Sequence, residues 1–247
     1  MPDRAFAVEI CGLRLAFGAH QVLKGLDLAV PEGAVCALLG INGAGKTTTV
    51  SVLATLRKPD AGSAQVAGFD VVRQPAKVRR AITVTGQNTT VDAVLTGLEN
   101  LVMMARLRHV ADPVTVASGL LEQFGLAGAA GKPAGTYSGG MKRRLDIAMS
   151  LIGDPKVIFL DEPTAGLDAA GRRDIWAFVQ ELATQGKTIV LTTQYMEEAA
   201  RLASDIAVLH NGVIAAYGDQ ATIAEAAGGA PDLEAAFLAL TGEEEKS

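Results

Sequence analysis

The run Gly40-Ile41-Asn42-Gly43-Ala44-Gly45-Lys46-Thr47-Thr48 has the residue types and spacing of a phosphate cradle. Closing a backbone around phosphate oxygens needs successive N–H groups pointing inward with no side chains in the way, hence the glycines. Lys46 supplies a point charge for the outer phosphates of a nucleoside triphosphate, and the Thr47 hydroxyl can ligate Mg²⁺. A helix starting at Lys46 would aim its positive end at the same anion, with Asn42, Gly43, Ala44, Gly45 and Thr48 around it. A glycine-rich turn without a ligand is the plain alternative. An apolar strand before the loop and a helix after it are the context a cradle requires, and both are expected here.

Such a cradle needs a metal-holding carboxylate at the end of a neighbouring strand. Val157-Ile158-Phe159-Leu160-Asp161-Glu162 offers one, because four apolar residues carry Asp161 to the C-terminal edge of a sheet, where ligands sit in open α/β folds. Asp161 is the candidate holder of a hydrated Mg²⁺. Glu162 is the candidate base that polarises water for in-line attack on a γ-phosphate. Two acids closing an apolar run would by themselves mark a solvated strand end. Joined to the upstream cradle, they predict a Mg²⁺-dependent P-loop NTPase.

The elements that must position these groups are legible in the periodicity. Residues 6–30 alternate apolar and polar in two runs and turn at Pro31-Glu32-Gly33, an antiparallel β start. Residues 34–39 are continuously apolar, as in a strand buried on both faces. A helix is expected over 46–56, closed by Lys58-Pro59-Asp60-Ala61-Gly62, with short strands over 63–66 and 82–85. From 98 to about 128 the spacing of Leu101, Met104, Ala105 and Arg108 is helical. Strand 157–160, helix 169–183, strand 188–193 and helix 196–203 then read as parallel crossover units. Residues 206–217 form a hairpin pattern around Asn211-Gly212, the favoured type I′ turn pair, and 231–240 read as a last helix. The expected fold class is α/β, with a mostly parallel core sheet, an antiparallel β region and an inserted α-helical subdomain.

Bulk properties narrow the function classes. The chain has 247 residues, enough for one large α/β domain or a core plus a small subdomain. With 22 Lys and Arg against 27 Asp and Glu, its formal charge of -5 disfavours a nucleic-acid partner, which a basic stripe would serve. Mean hydropathy is +0.26, but the apolar runs fall far short of the roughly 20 residues that span a bilayer. No apolar core follows Met1, Pro2, Asp3 and Arg4, so no signal peptide is expected. Cys11 and Cys36 are expected as buried thiols in a reducing compartment, since two cysteines make no disulfide framework.

Tyr137-Ser138-Gly139-Gly140-Met141 closely resembles the signature motif, usually LSGGQ, of the ABC (ATP-binding cassette) family, and it precedes Asp161-Glu162 as in that family. A serine N-cap with two glycines is otherwise an ordinary helix start. The resemblance runs over almost the whole chain and implies a P-loop NTPase of the ABC cassette type that binds ATP with Mg²⁺. It implies that Ser138, Gly139 and Gly140 clasp the γ-phosphate of ATP held by a second cassette, head to tail, in a homodimer or heterodimer. Phe17 stands where the family stacks an aromatic ring on adenine, although a lone phenylalanine there also suits a core. Gln87 matches the glutamine that contacts Mg²⁺ and reports on a membrane partner. Asp168, in Ala165-Gly166-Leu167-Asp168, matches the loop that crosses the dimer interface. The implied organisation is residues 1–87 and 151–225 as the ATP-binding core, 88–150 as the helical subdomain, and 226–247 as a C-terminal helix and acidic tail.

One position departs from the family pattern. A histidine usually follows the strand that is here 188–193, but this chain has Gln194. A glutamine amide can bond a γ-phosphate and a water, yet it carries no charge. We read Gln194 as a neutral γ-phosphate sensor, against the bland reading of a solvated strand end. Catalysis is thus assigned to Glu162, Gln194 and Lys46, and the metal to Thr47, Gln87 and Asp161.

The finer similarity is to daunorubicin-resistance-type drug exporter cassettes. It rests on Thr85-Gly86-Gln87, residues 95–101, Tyr137 to Met141, Gln194 and residues 233–242. This implies a polytopic membrane permease as partner and a cytoplasmic place on the inner face of the membrane. Leu98, Leu101, Val102, Met103, Met104 and Leu107 are apolar on more than one helical face, which suits a helical core and also a docking groove. A soluble ABC ATPase of DNA repair, translation or cluster assembly would carry tandem cassettes, zinc-bearing insertions or basic extensions, and none is seen. A nucleotide-binding regulator without turnover has only Gln194 in its favour.

Overall fold

The computed structural model describes residues 5–86 and 90–242. Strands β1 (Phe6–Phe17) and β2 (His20–Pro31) pair antiparallel, and β4 (Ala61–Val66) with the short β5 (Phe69–Asp70) completes a four-stranded sheet in the order β2-β1-β4-β5. Along β1 the parity that buries Val8 and Ile10 turns Glu9 and Cys11 outward. Cys11 is therefore exposed, contrary to expectation, because it shares the solvent face of the pleat with Glu9. Cys36 is buried as expected.

The second sheet has six strands. They are β3 (Val35–Leu39), β6 (Ile82–Thr85), β7 (Val157–Asp161), β8 (Thr188–Thr193), β9 (Asp205–His210) and β10 (Val213–Gly218). Their order is β10-β9-β3-β8-β7-β6, all parallel except β10 against β9. Both faces are covered. Val35, Ala37 and Leu39 face one apolar cluster while Cys36 and Leu38 face the other, and β7 splits Ile158 and Leu160 from Val157 and Phe159 in the same way. That two-sided burial explains the unbroken apolar runs in the sequence. The β9–β10 turn sits at Asn211 (φ 48°) and Gly212 (φ 81°), the two left-handed residues of a type I′ turn.

Helix α1 (Lys46–Leu53) packs between the two sheets through Val50, Val52 and Leu53. It ends earlier than the expected 56, because Thr55 adopts φ 62° and the N–H groups of Leu56 and Arg57 fold back onto Ser51 O. Helix α2 (Pro75–Ala81) was not apparent in the sequence, nor was β5: a seven-residue helix and a two-residue strand are too short for periodicity to register.

Helices α3 (Gly97–Leu107) and α4 (Pro113–Gln123) occupy the stretch 98–128 expected to be helical, and α5 (Gly139–Leu151) follows the signature residue Ser138. A capping box of Thr96 and Glu99 starts α3. Buried Asn100 ties the preceding loop down, donating to Asp92 O at 3.0 Å and accepting the Asp92 N–H at 2.8 Å. Crossover helices α6 (Ala169–Thr184) and α7 (Met196–Leu202) follow β7 and β8. The chain closes with α8 (Gln220–Ala226), also unread in the sequence, and α9 (Leu233–Thr241), whose N-cap is Asp232.

Candidate nucleotide site

The loop between β3 and α1 is shaped by what surrounds it. Gly45 has φ 112°, and a Cβ there would lie 2.9 Å from Leu23 Cδ2, so only glycine fits. The N-terminus of α1 has no side-chain cap, as in the short α2 and α7, whereas α3, α4, α5, α6, α8 and α9 all have one. Its first N–H groups are left for an external anion. Asn42, Gly43, Gly45, Lys46, Thr47 and Thr48 line a recess of about 360 Å³. Glu162 joins them from the end of β7, and His20 and Val22 from β2. Ala44 is buried behind this lining.

Lys46 Nζ donates to Gly40 O at 2.7 Å and Ile41 O at 3.0 Å, and lies 3.9 Å from Glu162 Oε1. Burial lowers its pKa, and the charges of Glu162 and Asp161 partly offset that. A cation buried mainly on neutral carbonyls fits a phosphate as its missing counter-charge. Thr47 Oγ1 sits 3.2 Å from each Asp161 carboxylate oxygen. Among the described residues no group of three or more His, Cys, Asp and Glu could hold a metal alone. A hydroxyl and one carboxylate still fit Mg²⁺, which keeps waters and takes phosphate oxygens as ligands.

Thr192, at the end of β8 and opposite Asp161 in register, organises both acids. Its hydroxyl donates to Asp161 Oδ1 at 2.6 Å and accepts the Glu162 N–H at 3.0 Å. Glu162 adopts φ 48°, a left-handed conformation costing a non-glycine residue roughly 1–2 kcal/mol. That bend takes the chain out of the strand and accompanies its side chain's approach to Lys46. Sequence reasoning missed Thr192; the available signal was a pair of hydroxyls ending the apolar run 188–193.

Ser138 accepts the Met141 N–H as N-cap of α5, and Asp168 accepts the Gly171 N–H at 2.7 Å as N-cap of α6. Together with Gly139 and Gly140 they line a second recess of about 410 Å³. The residues implied to face a second cassette are thereby gathered apart from the first recess. Gln194, half-buried, lines neither; it borders a third recess with Thr164, Tyr195 and Glu197. Phe17 is 42% exposed and carries the Arg57 guanidinium 4.7 Å from its ring centroid, so it is no core residue. Gln87 lies outside the described residues.

The ABC transporter family profile matches residues 23–165, from β2 through the cradle and the signature stretch to the acids at the end of β7. The chain belongs to the ABC transporter family. It is 50% identical over 214 residues to the daunorubicin/doxorubicin resistance ATP-binding protein DrrA of Streptomyces peucetius, covering 86% of this chain and 65% of that protein. It is 47% identical over 222 residues to the doxorubicin resistance ATP-binding protein DrrA of Mycobacterium tuberculosis (strain H37Rv), covering 88% and 67%. This ABC chain thus spans about two thirds of the length of these two relatives. Among solved structures, one described as the structure of the ATP-binding subunit of an ABC transporter superposes with a TM-score of 0.83 at 26% identity, covering 95% of this chain and 99% of the other. The ADP conformation of MJ1267, an ATP-binding cassette of an ABC transporter, gives 0.78 at 26% identity over 87% of this chain and 91% of that one. The fold is the ABC cassette, an α/β P-loop NTPase with parallel and antiparallel sheets. No helix among the described residues is long and apolar enough to cross a membrane.

Proposed function

We propose that this chain is the ATP-binding and hydrolysing cassette of an exporter, powering movement of a drug or other hydrophobic compound through a separate polytopic membrane protein. One observation carries the ATPase reading: Lys46, Thr47, Asp161 and Glu162 converge on the uncapped N-terminus of α1. The names of the relatives support the drug-export reading.

In this reading the loop N–H groups and Lys46 hold the phosphates, with Asn42, Gly43, Ala44, Gly45 and Thr48 closing the cradle. Thr47 and Asp161 would hold Mg²⁺, which supplies charge neutralisation on the phosphate oxygens. Gln87 would complete that set. Glu162 accepts the proton of the attacking water, and Gln194 bonds the γ-phosphate from beyond β8. Phe17 offers one ring face to adenine. Ser138, Gly139, Gly140 and Asp168 meet the nucleotide of a second cassette, so that ATP closes a head-to-tail dimer and phosphate release reopens it. The chain then works at the cytoplasmic face of a membrane.

The test uses tagged Glu162→Gln chain, trapped with Mg-ATP and purified from native membranes. A stoichiometric polytopic membrane protein in the eluate is the expected result. A soluble eluate, or one dominated by ribosomes or DNA-repair proteins, would move the same chemistry to a non-transport ABC ATPase.

A further inference from the structure

The signature helix α5 carries a buried ion pair one turn inside its N-terminus. Arg143 is 5% exposed and Asp146 2%. Arg143 Nη1 donates to Gly86 O at 2.7 Å, its Nε donates to Pro163 O at 3.0 Å, and its Nη2 reaches Asp161 O at 3.5 Å. Asp146 Oδ2 lies 3.4 Å from Arg143 Nη1, while its Oδ1 accepts from Thr90 N at 2.9 Å and Thr90 Oγ1 at 2.7 Å. The pair therefore grips the residues on both sides of 87–89 and the backbone around Glu162.

We propose that Arg143 and Asp146 are positioning residues that lock the signature helix to the carboxylate-bearing end of β7 and to the two ends of the Gln87 segment. This rests on the ATPase reading above. Stability alone is a poor account of the pair. Desolvating two charges costs about what their attraction returns, and packed apolar residues of similar volume serve as well or better. A planar guanidinium does what apolar residues cannot: it fixes carbonyl oxygens of separate segments at set distances. The segments it fixes hold Asp161 and Glu162 on one side and flank Gln87 on the other. Any shift of α5 on meeting the second cassette's nucleotide is thus carried through Arg143 to this chain's own hydrolytic acid. Misplacing a reacting group by about 1 Å can cost on the order of 100-fold in rate.

The double variant Arg143→Met/Asp146→Leu removes both charges together, and Arg143→Lys keeps the charge without the fork. Each is made in the full-length protein and again in the Glu162→Gln background. The expected result is a folded protein whose melt is lowered by the Gly86, Pro163 and Thr90 groups left without side-chain partners, ATP affinity within about twofold, a Mg-ATP-trapped dimer still formed with Glu162→Gln, and kcat reduced about tenfold or more. Parental kcat in either folded variant overturns the proposal. So does loss of ATP affinity and dimer trapping in parallel with kcat, which marks general structural damage. Should the double variant not fold, Arg143→Lys decides by the same criteria. A parent without ATP turnover, or Glu162→Gln alone failing to trap a dimer, instead refutes the ATPase reading.

Discussion

Thr192 and Asp161 face each other across adjacent parallel strands, and the threonine hydroxyl donates to Asp161 Oδ1 at 2.6 Å. The carboxylate proposed to hold Mg²⁺ is thereby oriented by a neutral donor, while its other oxygen stays within reach of Thr47. The same hydroxyl accepts the Glu162 N–H, so one side chain sets the direction of both acids.

Thr192→Val keeps the shape of the side chain and removes both bonds. Orienting partners of metal ligands typically matter by about 10–100-fold in metal affinity or activity. The Mg²⁺ concentration for half-maximal ATP hydrolysis is expected to rise about tenfold, with a stability loss of roughly 1–3 kcal/mol from the two lost hydrogen bonds, one of them to a carboxylate. A magnesium titration of ATPase activity with a parallel denaturant melt measures both. An unchanged magnesium midpoint would remove Thr192 from the metal's support.

Lys46 sets an alkaline limit on nucleotide binding. Burial lowers its pKa from the ordinary 10.5, and the proton is needed to meet phosphate. ATP affinity is therefore full at lower pH and falls as pH rises through the depressed value. Folding stability has the opposite sign there, because the unfolded chain binds that proton more readily and burying neutral lysine is easier. ATP titrations from pH 7 to 10 should show an affinity decline that Lys46→Met lacks. A parental affinity flat to pH 10 contradicts the shift.

Gln194→Ala at saturating Mg-ATP is expected to slow hydrolysis about tenfold, in line with one lost hydrogen bond to a charged group. Gln194→His, which restores the usual family residue, should keep at least parental turnover. If the alanine variant turns over as fast as its parent, Gln194 is no phosphate sensor. That result would agree with its place beside a different recess from Glu162.

Met103 is 37% exposed and Leu107 66%, on the face of α3 away from buried Leu101 and Ala105. Met104 instead packs against the core. Met103→Asp is expected to reduce transport by the proposed exporter while basal ATP hydrolysis stays near parental. Met104→Asp is expected to lower the melting temperature by burying an unpaired charge. Normal transport by Met103→Asp excludes that side chain from the coupling contact.

The cradle, Asp161, Glu162 and the signature stretch were legible in the sequence because each is a local pattern. A glycine loop must accept phosphate within a few residues, and an acid must end an apolar strand. The β3, β7 and β8 runs were equally plain, since burial on both faces leaves no polar alternation. What is spread over distant segments was not legible. Thr192 acts on Asp161 only through the parallel register of β8 against β7. His20 and Val22 reach the recess only because β2 passes beside the loop. Cys11 turned outward because a strand's parity, not a thiol's apolar character, chose its face. The Arg143–Asp146 pair, read along the chain, is an ordinary i,i+3 spacing on a helix. Only the fold decides that its atoms meet the carbonyls of Gly86 and Pro163. Local spacing determines which chemistry the residues can do; the packing of segments far apart in sequence determines which of them hold that chemistry in place.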